Sequence, residues 1–225
     1  FHHDTSNILE QNVKIEASHA GLTVGEDGAT HQILEDIGLM RMLPNMVVLN
    51  PCDYNQTKMA TLAAAEYVGP VYLRFGRPSV PNFTPADQPF VIGKAITMNE
   101  GCDVTIVATG HLVWPALQAA QILSQKGVSA EVIDIHTIKP LDEEAILSSA
   151  NKTRAVVTAE EHSCNGGLGD AVCQLLGRKL PTLVEMVAVN DKFGESGTSM
   201  QLMNEYHLNA DAIVESSLKA IARKN

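Results

Sequence analysis

Val104-Thr105-Ile106-Val107-Ala108-Thr109 is apolar on both faces instead of on alternate residues. A strand with no polar side belongs between two helical layers, so this run marks a parallel α/β sheet. Its surroundings agree. Val113–Lys126 reads as a helix, Ala130–Ile135 as a strand, and Leu141–Ala150 as a helix beginning near Asp142. Ala155–Ala159, Leu168–Leu176 and Leu183–Val189 continue the alternation, which helices over Ser199–Tyr206 and Ala210–Ala222 close. Towards the N-terminus the same alternation returns: strand Asn12–Ala17, helix Thr30–Met42, strand Met46–Leu49, helix Asn55–Tyr67, strand Val71–Arg74. Between the two series, Arg77–Pro89 carries Pro78, Pro81, Pro85 and Pro89 and reads as an extended linker. The expected architecture is therefore α/β: two consecutive domains with mostly parallel sheets, over residues 1–80 and 91–225, joined by a proline-rich linker at 81–90.

The 225 residues include 16 basic and 26 acidic side chains, for a net charge of −10. That balance repels nucleic acid and anionic membrane, and neither is an expected partner. The best apolar run, near Val104–Leu123, is interrupted by Gly110, His111 and Pro115 before it reaches the roughly eighteen residues a membrane helix needs. Cys52, Cys102, Cys164 and Cys173 have neither C-x-x-C pairing nor regular spacing, so reduced thiols and a cytoplasmic location are expected in place of a zinc site or disulfide framework. The chain begins Phe1-His2-His3, without an initiating Met, which reads as processing, truncation or a tag remnant.

Proton-carrying groups gather in one glycine-rich stretch, Ser18-His19-Ala20-Gly21-Leu22-Thr23-Val24-Gly25-Glu26-Asp27-Gly28-Ala29-Thr30-His31-Gln32. Three glycines make it a loop, where side chains and free backbone N–H groups are presented to a ligand; a solvated acidic turn is the bland alternative. Gly166-Gly167-Leu168-Gly169 sits at a strand-to-helix junction but lacks the G-x-G-x-x-G spacing, so a tight turn with close helix packing explains it better than a nucleotide fingerprint.

The opening loop continues into Gln32, Glu35-Asp36-Ile37, Leu43-Pro44-Asn45-Met46, Pro51-Cys52-Asp53, and Gly69-Pro70-Val71-Tyr72-Leu73-Arg74 with Arg77 and Pro78. Downstream come His136-Thr137-Ile138-Lys139-Pro140-Leu141-Asp142, Thr158-Ala159-Glu160-Glu161-His162, the glycine run, and Phe193-Gly194-Glu195-Ser196-Gly197. This ordered series resembles the transketolase family over nearly the whole chain: the latter part of its pyrimidine-binding domain, then its C-terminal domain. Gly-Glu-Asp-Gly-x-Thr-His looks more like transketolase than like deoxyxylulose-phosphate synthase, which usually shows Gly-Ala-Asp-Gly, or the β subunits of 2-oxoacid dehydrogenases, which diverge further.

The resemblance implies thiamine diphosphate, a divalent cation (Mg or Ca) on its diphosphate, and transfer of a two-carbon ketol unit from a ketose phosphate to an aldose phosphate. By matching position it implies that His31 exchanges a proton near the reacting carbons, that Asp27 binds a donor hydroxyl, and that His19 and Arg77 face the sugar phosphate. For Arg77 the residues alone favour a surface ion pair with an acidic neighbour. For Glu26 a cap on the loop or on a helix starting near Thr30 stays open. His111, His136 and His162 are expected to be structural, and Trp114 to be core. The resemblance begins part-way through the pyrimidine-binding domain, so the first domain is expected to be incomplete at its N-terminus and to lack the glutamate that activates the cofactor ring. Glu10 in Glu10-Gln11-Asn12 echoes that glutamate by chance. The diphosphate-binding domain with its metal motif is missing too, which implies an N-terminal transketolase subunit or domain as partner, with the C-terminal part forming a homodimer. The alternatives are a non-catalytic assembly or regulatory module, or a related thiamine enzyme.

Overall fold

The computed structural model describes residues 11–224, in which two sheets share one molecule; Glu10 lies outside them. The first sheet has the order β1-β3-β2-β7 and the second β4-β6-β5-β8-β9. The strands are β1 Lys14–Ala17, β2 Val47–Leu49, β3 Val71–Arg74, β4 Ile96–Asn99, β5 Val104–Ala108, β6 Ala130–Asp134, β7 Thr137–Lys139, β8 Val156–Ser163 and β9 Val184–Val189. The helices are α1 Asp36–Met42, α2 Tyr54–Glu66, α3 Val113–Gln125, α4 Glu143–Thr153, α5 Leu168–Lys179, α6 Ser199–Glu205 and α7 Ala210–Arg223. Every residue of β5 is buried, with β6 and β8 parallel on either side, as its two apolar faces require.

The sheets are mostly parallel, with an antiparallel strand at one edge of each. In the first sheet that edge is β7, which comes from the second half of the chain and lies against β2 through Val48↔Lys139 and Leu49↔Thr137. Asn50 N–H donates to His136 O at 2.9 Å, continuing the seam. The second half therefore completes the first sheet. The sequence does not show this crossover, because a three-residue strand two residues after β6 carries no pattern that says which sheet it joins. β4 was missed as well: its half-buried alternation suits an edge strand and merges with the irregular sequence before it.

Thr30–Met42 was expected to be helical throughout, but α1 starts only at Asp36. The carbonyls that would begin the helix are taken by other partners. Ile33 O accepts from Gly21 N–H, and Leu34 O from Ser163 N–H. Gln32 Nε2 donates to the carbonyls of Leu22, Gly25 and Glu195. Glu26 accordingly caps no helix at Thr30; it is exposed on the loop.

The segment after β3 is strapped down. Asp53 accepts from Gln56 N–H at the start of α2 and from Phe83 N–H, Thr84 N–H and Thr84 Oγ1. Phe83 packs on Trp114 with ring centroids 5.3 Å apart, and Phe90 on His136 at 4.0 Å. The glycine run does form a turn into α5, and the anion at that helix N-terminus is internal. Leu168 and Gly169 N–H both donate to the Glu160 carboxylate at 2.7 Å, and a Cβ on Gly167 would lie 2.1 Å from Glu160 Oε2. Burial pushes the Glu160 carboxyl up to about 7, against the lowering pull of those two N–H groups, Arg74 and Arg41.

Candidate functional site

The loop at 18–32 follows β1 and is built by both halves of the chain. Leu22–Val24 forms a buried 3-10 turn, and its Thr23 N–H donates to Glu161 Oε1 at 2.7 Å, 138 residues away. Ser199 Oγ donates to Thr23 O at 2.9 Å, so the first residue of α6 also holds the loop. Its anchored part is buried, and its polar tip is exposed.

His19, Asp27 and His31 all lie on that exposed surface, and Arg77, three residues past β3, reaches it. Arg77 Nη1 donates to Asp27 Oδ2 at 3.1 Å and to Val24 O at 3.0 Å. The ion pair that the residues alone favoured for Arg77 is present, and its acidic neighbour is Asp27. Both side chains are about half exposed, so the pair contributes little to stability and is open to exchange with another anion. His19 and His31 are not joined to it by hydrogen bonds. His19 Nδ1 lies 2.9 Å from Ser18 Oγ, and His31 Nδ1 lies 3.0 Å from Thr30 Oγ1, each a contact with the preceding residue. His19 also has a left-handed φ of 64°, which only the tethered loop makes acceptable for a side chain of that size.

Beneath the loop runs a buried polar network between the halves. Asp36 Oδ2 accepts from Tyr72 OH at 2.7 Å and from Arg74 Nε at 2.8 Å, while Arg74 Nη2 donates to Glu161 O at 2.8 Å. Glu161 Oε2 lies 3.1 Å from His111 Nδ1. Burial opposes ionisation of Glu161 and Asp36 alike. For Glu161 the His111 and Arg74 contacts and the Thr23 N–H outweigh burial, and for Asp36 Arg74 and Tyr72 do, so both carboxyls stay below the ordinary range. His162 is fully buried, donating through Nδ1 to Ser163 O and accepting at Nε2 from Gly38 N–H. Burial and Arg74 push its pKa down, which suits a neutral structural imidazole. His136 is likewise held neutral, pushed down to about 4 by burial despite Asp142.

Arg74, Asp36 and Glu161 stand in the motifs of the sequence without a role assigned to them there. The signal was available: Val71-Tyr72-Leu73-Arg74 and Ala159-Glu160-Glu161-His162 put charges inside strands that are otherwise apolar, and a buried charge needs a partner. Among the described residues no three His, Cys, Asp or Glu side chains stand together to hold a metal ion, and no helix is long and apolar enough to cross a membrane.

Residues 4–82 match the family model for the transketolase pyrimidine-binding domain, and residues 93–213 match that for the transketolase C-terminal domain. A Methanocaldococcus jannaschii protein provisionally named a transketolase C-terminal section is 44% identical over 216 residues, covering 95% of this chain and 67% of that protein. The 6-deoxy-6-sulfo-D-fructose transketolase subunit of Clostridium sp. strain MSTE9 is 43% identical over 214 residues, covering 95% and 66%. A solved split-gene transketolase, an inactive beta4 tetramer, superposes with a TM-score of 0.89 at 47% identity, covering 95% of this chain and 68% of that one. The chain thus spans about two thirds of the length of these relatives.

Proposed function

The chain belongs to the transketolase family as a C-terminal part of it, and from that premise we propose that it supplies the substrate-facing half of a split transketolase. Its partner carries the diphosphate-binding domain, and together they transfer a two-carbon ketol unit between sugar phosphates. The observation that carries this reading is the contact between Arg77 and Asp27. A cation from beyond β3 and a carboxylate from the loop, 50 residues apart in sequence, meet beside the exposed tip that also bears His31.

The family depends on thiamine diphosphate, which when bound supplies the nucleophilic carbon and the electron sink for C–C cleavage. We assign the diphosphate and its metal to the partner subunit, because this chain matches the pyrimidine-binding and C-terminal domain models. What this chain offers is substrate handling. Arg77 exchanges Asp27 and the Val24 carbonyl for the terminal anion of the sugar, with His19 beside it, and Asp27 turns to a donor hydroxyl. His31, exposed and with its ring bonded to the Thr30 hydroxyl, holds or releases a proton at the reacting end of the donor. The Clostridium relative bears the name of a sulfosugar, whose end is also an anion. This agrees with a cation at the far end of the site.

In the reconstituted assembly, Arg77→Ala should weaken use of phosphorylated donors far more than use of hydroxypyruvate, which has no phosphate. Loss of a charge-assisted contact should cost roughly 1.5–3 kcal/mol in kcat/KM on the phosphorylated donor. Equal losses on both donors would show that Arg77 supports the loop and binds no phosphate.

A further inference from the structure

Two stretches of backbone carry the cationic end of the site: Ala17–Gly25 with His19, and Arg74–Arg77. They are paired to each other, Phe75 N–H donating to Ala17 O at 3.1 Å and Ala20 N–H to Phe75 O at 3.3 Å. Both rest on the same two residues from the second half of the chain, Glu161 and His111. Under the first, Thr23 N–H donates to Glu161 Oε1 at 2.7 Å, and a Cβ on Gly21 would lie 2.2 Å from that oxygen. Gly21 has φ +82°, so only glycine suits the position on both counts. Under the second, a Cβ on Gly76 would lie 2.0 Å from His111 Cε1. The Arg74 guanidinium, in the same stretch, donates to Glu161 O at 2.8 Å.

Glu161 and His111 are themselves a fixed pair. Glu161 is buried and kept ionised, so it can only accept, and His111 Nδ1 must carry the proton that bridges the 3.1 Å between them. Thr23 Oγ1 lies 3.3 Å from the same nitrogen, which fixes the ring plane against the loop. The imidazole is therefore oriented at Nδ1 by two partners while the adjoining Cε1 and Nε2 lie against Gly76. A shift of either side chain would move the backbone on both sides of it.

We propose that Glu161 and His111 are positioning residues for the anionic end of the substrate. They set where His19 and Arg77 stand relative to each other, and through that the preference for a donor ending in phosphate. The inference rests on the reading of Arg77 as the phosphate contact, and it gives the second half of the chain a part in substrate selection beyond assembly. A pair that merely joined the two halves would have no reason to affect one donor more than another.

The test uses the assembly reconstituted with the diphosphate-domain subunit. His111→Ala should raise KM for a ketose phosphate donor about tenfold, because small displacements of binding groups are costly, while kcat and the kinetics with hydroxypyruvate stay within about twofold. His111→Asn, which keeps an N–H for Glu161, should restore most of the preference. Gly76→Ala pushes on the ring and should act in the same direction as His111→Ala. The double variant Gly76→Ala/His111→Ala should be no worse than His111→Ala alone, since removing the ring removes the collision. Equal loss on both donors, no loss on either, or additive losses in the double variant would overturn the proposal. Arg77→Ala in the same series separates the two levels. If it too is indifferent to phosphate, the underlying reading fails and this one with it; if Arg77→Ala is selective and His111→Ala is not, the positioning role alone is wrong.

Discussion

Arg74→Met should destabilise the protein by about 3–5 kcal/mol, the largest loss expected from any single change in the network between the halves. Arg74 is 3% exposed and Asp36 2%, so removal of the guanidinium leaves a buried carboxylate with Tyr72 OH as its one remaining hydrogen-bond partner among the described residues, and takes the Arg74 donor from Glu161 O. Methionine fills much of the volume, which isolates the charge from the cavity. Denaturant unfolding followed by Trp114 fluorescence and by circular dichroism measures the effect, coincidence of the two curves licensing a single free energy. The double variant Arg74→Met/Asp36→Leu should recover much of the loss, because no unpaired charge remains. A loss under about 1 kcal/mol for Arg74→Met would mean that the network is solvated and does not join the halves.

His31→Ala should lower turnover of the reconstituted enzyme about 10²–10⁴-fold, the usual contribution of a proton-transfer group, with thermal stability and cofactor affinity nearly unchanged. The structure makes this contrast sharp. His31 is exposed and its hydrogen bond is to the neighbouring Thr30 hydroxyl, so its loss orphans no buried partner. His162 is the opposite case, fully buried with both ring nitrogens engaged by backbone. Near-normal turnover of His31→Ala, or a large fall in melting temperature, would remove His31 from the chemistry.

The α/β class was legible because it rests on local signals. Runs such as Val104–Ala108 are apolar on both faces, and Asp53 and Asn209 cap α2 and α7 through their side chains. What was not legible depends on partners distant in sequence. The late start of α1 follows from Gly21 and Ser163 claiming the carbonyls of Ile33 and Leu34, and the place of β7 follows from pairing with a strand about 90 residues earlier. At the site, the loop and its titratable groups could be read from composition and family resemblance. That Glu161 is a buried charge in need of a partner was legible in its strand; that the partner is His111, set against the loop and Gly76, was not, since that follows only from the backbone they touch.

The central claim is that this chain holds substrate for a cofactor bound chiefly by another subunit. Isothermal calorimetry of thiamine diphosphate with Mg²⁺, run on the purified chain and again after mixing with the diphosphate-domain subunit, tests it together with a ketol-transfer assay on the same samples. The account predicts feeble cofactor binding and no turnover by the chain alone, with tight binding and turnover once the two are mixed. Tight, magnesium-dependent binding and turnover by the purified chain alone would contradict it.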